Sequence, residues 1–335
     1  MRISNDKRSL YDTSIIIDGC SCIHSEDELW HYQKGRVTAV TAPIYPLYAN
    51  TSDIINGVVK WYNILEQNSR YMGIYTADDI EEAKRSGKLG IILSLLDPND
   101  IQANPFILKA YYRLGVRRIQ FFQNRQNSIG NSYMESKDNG LSDYGRKIIE
   151  LMNELGMLID ISHAGYYTSM DIIEASTKPV VFSHSNSKSI YDVPRNIEDE
   201  QAIAVAKKGG LIGTTAFPAF LSSSNYSDVE LLLDNIDYFV NLVGIDHVAW
   251  GVEYYWMQEK LTDIETAMDG YQKRVEIGHV DVTITPPPYH YPPEVELPEQ
   301  YPNAVELLEK HGYKEPDIRK LLGENYIRIF RSVWK

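Results

Sequence analysis

The chain has 335 residues, 43% of them hydrophobic, enough for one large barrel or two ordinary domains. Its 46 acidic and 33 basic residues leave a net charge of −13, and a chain so acidic has no continuous positive surface for phosphates, so nucleic acid and anionic membrane are not expected partners. Two cysteines one residue apart give no disulfide framework, the first residues lack the apolar core of a signal peptide, and no stretch is apolar enough to span a bilayer; the expectation is a reduced, cytoplasmic protein.

Eight short runs rich in Val and Ile alternate with longer segments of helical period, the pattern of repeated βα units around a parallel sheet. In chain order they are 14–19 (SIIIDG), 36–44 (RVTAVTAPI), 89–96 (LGIILSLL), 116–122 (VRRIQFF), 157–163 (MLIDISH), 179–184 (PVVFSH), 211–217 (LIGTTAF) and 247–254 (HVAWGVEY). Between them, Thr76 with Asp78 and Asp79 opens a helix that closes at Gly87. A second helix opens at 141–145 (LSDYG) and runs to Leu155 before Gly156, and 235–242 continues a third that ends at Gly244. Eight strands with their crossovers reach about residue 255, which predicts an α/β fold, a (β/α)8 TIM barrel occupying 1–335 as a single domain.

Residues 279–302 break the rhythm, because the PPPYHYPP core lacks the N–H groups of a helix or central strand. An ordered loop is expected there, either over the barrel mouth or on the surface away from it. Segments 303–310 and 315–334 are read as terminal helices packed outside the barrel. Tyrosines cluster at 45–48, 254–255 and 289–291, where they suit an aromatic pocket or a subunit interface equally well.

Functional side chains of a β/α barrel gather at the C-terminal ends of its strands. The runs end on Cys20 and Cys22, Leu96 and Asp97, Gln123, His163, His184 and Glu253. A single strand-end histidine is more often a hydrogen-bonded core residue than a ligand. Two histidines ending consecutive strands, with a carboxylate from the eighth, point towards a metal ion. Strand alternation would turn Cys20 and Cys22 to one face, so both thiols are candidate ligands; two buried inert thiols are the other reading.

The pair DISHAG (160–165) and VVFSHSN (180–186), followed by VPRN (193–196), GIDHV (244–248) and GENYIRIF (323–330), resembles the membrane dipeptidase family over nearly the whole chain. The resemblance implies a metal-dependent hydrolase barrel in which His163 and His184 are metal ligands and Arg195, with Asn196 beside it, receives the substrate's carboxylate. It also implies a dipeptide or similar small molecule as substrate, and assembly as a homodimer. Four positions depart from the family pattern. Its His-x-Asp motif reads Cys20-Ser21-Cys22, its bridging glutamate falls on Leu96, its strand-four histidine is Gln123, and its strand-eight aspartate is Glu253.

These departures shape the expected chemistry. Without a bridging carboxylate a pair of ions repels itself, so one ion, zinc first and iron second, is expected on some of Cys20, Cys22, His163, His184 and Glu253. Glu253 is then ligand or general base, and Gln123 donates to the developing oxyanion. The competing readings are a thiolate-metal or cysteine-dependent non-hydrolytic enzyme on the same barrel, and a catalytically inactive relative.

Overall fold

The computed structural model describes all residues except 1–4, 24, 45–48, 98–100, 102–103, 255–259, 261 and 281–283. The tyrosines of 45–48 and Tyr255 therefore lie outside the described residues.

The described strands are β1 (Ile17–Asp18), β2 (Ala39–Ile44), β3 (Tyr71–Gly73), β4 (Leu89–Leu96), β5 (Val116–Gln120), β6 (Leu158–Asp160), β7 (Val181–Phe182), β8 (Leu211–Gly213) and β9 (Val248–Ala249). All pairings are parallel, and the sheet runs β1-β2-β4-β5-β6-β7-β8-β9. Each of the eight apolar runs supplies one strand of this path, in an α/β barrel of the TIM type. The ninth strand, β3, was not expected. It pairs with Leu89–Ile91 at the start of β4, while β5 takes over from Leu93, with a register shift between Leu93 and Ser94. Tyr-Met-Gly has neither an apolar run nor an alternation by which a strand is recognised.

Helix boundaries follow local chemistry. Thr76 Oγ1 accepts from the Asp79 N–H to open Ala77–Ser86, which ends at left-handed Gly87. Ser142 caps Asp143–Leu155, which ends at left-handed Gly156. The third helix is Val229–Val243, which contains 235–242 and ends at Gly244, with the Asp228 side chain accepting from the Glu230 N–H.

The chain's end requires a correction. Helix Asn325–Val333 does not simply pack outside the barrel: Tyr326, Ile329 and Phe330 are buried in one cluster with Ile17, Ala39, Ile92, Leu158, Val181, Leu211 and Ala249, taken from seven different strands. It therefore plugs the N-terminal end of the barrel. Tyr326 is seated so deeply that a Cβ on Gly19 would fall 1.8 Å from its hydroxyl, which is why residue 19 has no side chain. The periodicity of 315–334 shows an apolar face but not what that face meets.

Two residues further along the strands the interior turns polar. Arg118 donates Nε–H to Ser94 Oγ at 3.0 Å and Nη1–H to the Gly19 carbonyl, and its Nη1 lies 3.2 Å from Asp160 Oδ2. This buried pair forms the floor beneath the mouth.

Candidate metal centre

The chain turns sharply after β1. The Cys20 N–H donates to Asp18 Oδ1 at 3.1 Å, and Ser21 Oγ donates to the Thr41 carbonyl at 2.6 Å. Cys20 is thereby buried with His184 and Glu253, and one ligand atom from each of the three lies within 4.8 Å of the others. Since Cys20 follows the first strand and Glu253 the last, the two ends of the sheet path meet at this point. Cys22 does not join the group. Strand alternation would have carried it there, but β1 stops at Asp18 and the turn that follows breaks the alternation.

His163 adjoins the group through its Nε2, which lies 3.0 Å from His184 Nε2. His184 Nε2 is also 3.5 Å from Glu253 Oε1, and Glu253 Oε2 accepts from the Thr215 hydroxyl at 2.8 Å. On the far side of each imidazole sits a polar partner: Asn124 Oδ1 at 2.9 Å from His163 Nδ1, and Ser183 Oγ at 2.7 Å from His184 Nδ1. His163 (φ 68°) and Glu253 (φ 58°) both occupy the left-handed region, unusual for residues with side chains and frequent where a site demands it.

The electrostatics favour neutral donors. Burial, then the Arg195 and Arg274 charges, holds the His163 imidazole well below its usual range. Burial, then Arg195 and the neighbouring His163, does the same to His184. Burial raises the Glu253 carboxyl to about 7 against the opposing pull of Arg195 and Thr215. Burial and then the Glu253 charge push the Cys20 thiol up. Neutral imidazole, a carboxylate and a thiol that a cation would deprotonate are a donor set into which zinc or iron fits.

Two cavities meet at the wall formed by Tyr133 and His163. One, of about 50 Å³, also takes in Gln123, Glu253, Arg274 and Tyr289. The other, of about 300 Å³, takes in Arg195 and Asn196. Gln123 Oε1 is buried and accepts no hydrogen bond from any described residue. Arg195 is 2% exposed, lies between the Tyr133 and Phe220 rings, and donates to Ser185 Oγ at 3.0 Å and to the His184 carbonyl at 2.6 Å. Its Nε is buried with no hydrogen-bond partner among the described residues. Asn196 differs: its amide donates to the Tyr191 and Phe220 carbonyls, both at 2.9 Å, so it holds the loop and leaves only its buried Oδ1 unmatched.

Asp97, adjacent to Leu96, is turned away from the centre. It accepts from the Asn127 amide at 2.9 Å and the Gln123 backbone N–H at 3.2 Å, and so supplies no substitute for a bridging carboxylate. The loop 279–302 reaches the site: Tyr289 lines the smaller cavity and the Tyr291 hydroxyl donates to the Glu253 carbonyl. Asn124, Thr215 and Arg274 were missed from the sequence. Thr215 lies inside the seventh run and Asn124 follows Gln123, so attention to strand ends would have found both. Arg274 sits in helix Ile264–Glu276, where no spacing singles it out. No helix among the described residues is long and apolar enough to cross a membrane.

Comparison with known proteins agrees with this architecture. The chain is 28% identical over 270 residues to a Klebsiella pneumoniae protein described only as uncharacterised, in the pqqA 5′ region, covering 78% of this chain and 88% of that one. It is 25% identical over 290 residues to a dipeptidase of Claviceps purpurea, covering 85% of this chain but 61% of that longer protein. Among solved structures, an amidohydrolase from Pseudomonas aeruginosa superimposes with a TM-score of 0.88 at 28% identity, over 98% of this chain and 99% of that one. A Rhodobacter sphaeroides metallopeptidase liganded with a phosphinate mimic of L-Ala-D-Ala shares the fold at a TM-score of 0.77 and 18% identity, over 96% of this chain and all of that one. The model of the membrane dipeptidase family, peptidase family M19, matches residues 22–273, and the chain is a member of that family, a metal-dependent, dipeptidase-like hydrolase.

Proposed function

We propose that the chain cleaves the amide bond of a dipeptide, or of a small amide carrying a free carboxylate, with one metal ion held by Cys20, His184 and Glu253 and approached by His163. The observation that carries this reading is the convergence of those three ligand atoms within 4.8 Å, next to a buried arginine whose Nε has no described hydrogen-bond partner. One ion is favoured over two because Leu96 stands where a bridging carboxylate would be needed. Zinc suits a sulfur, nitrogen and oxygen donor set, and iron is the second choice.

A bound ion supplies Lewis-acid activation of water and of the scissile carbonyl. The protein's own groups do the rest. Arg195 receives the substrate's carboxylate through its guanidinium edge. Glu253 takes the proton from the attacking water and passes it to the leaving amine. The Gln123 amide donates to the carbonyl oxygen as charge develops there, while its buried Oε1 accepts from the substrate's amino group; without such a donor that acceptor costs about 1–3 kcal/mol.

The cysteine-dependent reading is less favoured. A nucleophilic thiol needs a lowered pKa, and the surroundings of Cys20 push it up. Metal analysis of the purified protein, with amino-acid release from a dipeptide panel, tests the proposal. The expected result is close to one equivalent of metal and hydrolysis that a chelator abolishes; a metal-loaded protein inert on every dipeptide would overturn it.

A further inference from the structure

The larger cavity beside the centre holds a carboxylate that dipeptide hydrolysis does not by itself require. The charged side chains lining it are Glu135, Asp138, Lys188, Arg195 and Glu198. Asp138 is engaged at the N-terminus of helix Tyr166–Ala175, where it accepts from the Thr168 N–H at 3.0 Å and the Thr168 hydroxyl at 2.6 Å. Glu198 and Lys188 pair with each other at 2.6 Å. Arg195 is the group that receives the substrate's terminal carboxylate. Glu135 is left over: it is half-buried, its Oε1 accepts from the Gln126 N–H at 2.8 Å, and no cationic side chain among the described residues pairs with it.

A dipeptide held at Arg195 by its terminal carboxylate places its second residue in this cavity, while its first residue runs past His163 towards Gln123. We infer that Glu135 sets specificity by pairing with a cation on the side chain of that carboxy-terminal residue, so that the preferred substrates are Xaa-Lys and Xaa-Arg dipeptides. This deepens the dipeptidase reading and rests on it.

Position, charge and wall chemistry agree. The segment carrying Glu135 is tied to the centre: Ser132 bridges Ala164, and the Tyr133 N–H donates to the His163 carbonyl at 2.9 Å. Gln126, which fixes the Glu135 carboxylate, belongs to the same loop after β5 as Gln123 and Asn124. Once Arg195 is matched by the substrate's own carboxylate, the lining is three carboxylates against Lys188, a field that attracts a cation and repels a second anion. Tyr166 and Tyr167 also line the cavity, with rings 5.2 Å apart and nearly perpendicular, and stay 37% and 62% exposed. Such faces take both the methylene stem and the charged head of a lysine or arginine. The volume of about 300 Å³ is about ten times the roughly 30 Å³ of a liquid water, which is room for either arm.

The test compares hydrolysis of Ala-Lys and of Ala-norleucine, which has a side chain of similar length without the charge, by the metal-loaded protein. The wild type is expected to show a kcat/KM about 10-fold higher for Ala-Lys, the lower end for a hydrogen bond to a charged group because Glu135 is only half-buried. Glu135→Gln keeps an acceptor for the Gln126 N–H and is expected to abolish that preference, with the loss falling on the KM of Ala-Lys. Glu135→Lys should turn the preference towards Ala-Glu. Equal kcat/KM for Ala-Lys and Ala-norleucine in the wild type, or an equal loss of both in Glu135→Gln, overturns the role of Glu135, while cleavage of either dipeptide leaves the dipeptidase reading standing. If the wild type cleaves neither, both fall together.

Discussion

Asn124 fixes which nitrogen of His163 carries the proton. Its Nδ2 donates to the His279 carbonyl at 2.7 Å, so Oδ1 is the atom that faces His163 Nδ1 at 2.9 Å, and an acceptor there demands an N–H. The lone pair of His163 is therefore on Nε2, directed at His184 Nε2. Partners of this kind orient a ligating imidazole and raise its basicity. Asn124→Leu is predicted to weaken metal binding by about 10- to 100-fold, measured by competition with a chelator, while the far-ultraviolet circular dichroism stays that of the wild type. Unchanged affinity would mean that His163 takes no part in holding the ion.

The two cysteines are predicted to behave differently. Only Cys20 shares a ligand group with His184 and Glu253, so the cobalt-loaded protein should lose its thiolate-to-metal absorption in Cys20→Ser and keep it in Cys22→Ser. Loss in both variants would place Cys22 on the metal as well.

The polar floor of the barrel makes a stability prediction. Arg118 and Asp160 are 4% and 0% exposed, and removing one partner of a buried pair leaves the other charge uncompensated. Arg118→Met is expected to lower unfolding free energy by about 3–5 kcal/mol in urea titrations. A loss below about 1 kcal/mol, the value of an exposed pair, would argue that water reaches the floor.

In the metal-free protein, buried carboxyls take stability away as pH rises from about 4 to about 7, while His163, His184 and His279, whose imidazoles are held low, contribute in the opposite direction. Burial raises the carboxyls of Asp18 and Asp97 to about 6 and that of Glu253 to about 7. Each therefore ionises later in the folded chain than in the unfolded one, whose carboxyls titrate near 4. At these three carboxyls the folded state binds more protons across that window, so their contribution to stability is fully present below it and falls as pH climbs through it. Chemical denaturation at several pH values measures the slope. Glu253→Gln removes one carboxyl contribution, so the stability of the wild type relative to the variant should fall as pH climbs from about 4 to about 7, and a difference that rises or stays level over this range would contradict the account.

Much of the scaffold was legible in the sequence because its signals are local. Eight apolar runs gave eight strands, and Thr76, Gly87, Ser142 and Gly156 marked helix ends through their own hydrogen bonds or left-handed backbone. β3 escaped because three residues carry no period, and the plugging role of Asn325–Val333 escaped because an apolar face does not state its partner. The candidate site divides in the same way. His163, His184 and Glu253 end their runs and were found there. The separation of Cys20 from Cys22 depends on the Asp18 turn, and Arg274 reaches the cavity only through tertiary packing of its helix. Neither leaves a trace in residue spacing.

X-ray absorption at the metal edge of the loaded wild-type protein addresses the central claim most directly. A single ion on Cys20, His184 and Glu253 predicts one sulfur scatterer at about 2.3 Å, nitrogen or oxygen neighbours at about 2.0–2.2 Å, and no metal neighbour. A spectrum without sulfur, or with a second metal at roughly 3.5–4 Å, would contradict it.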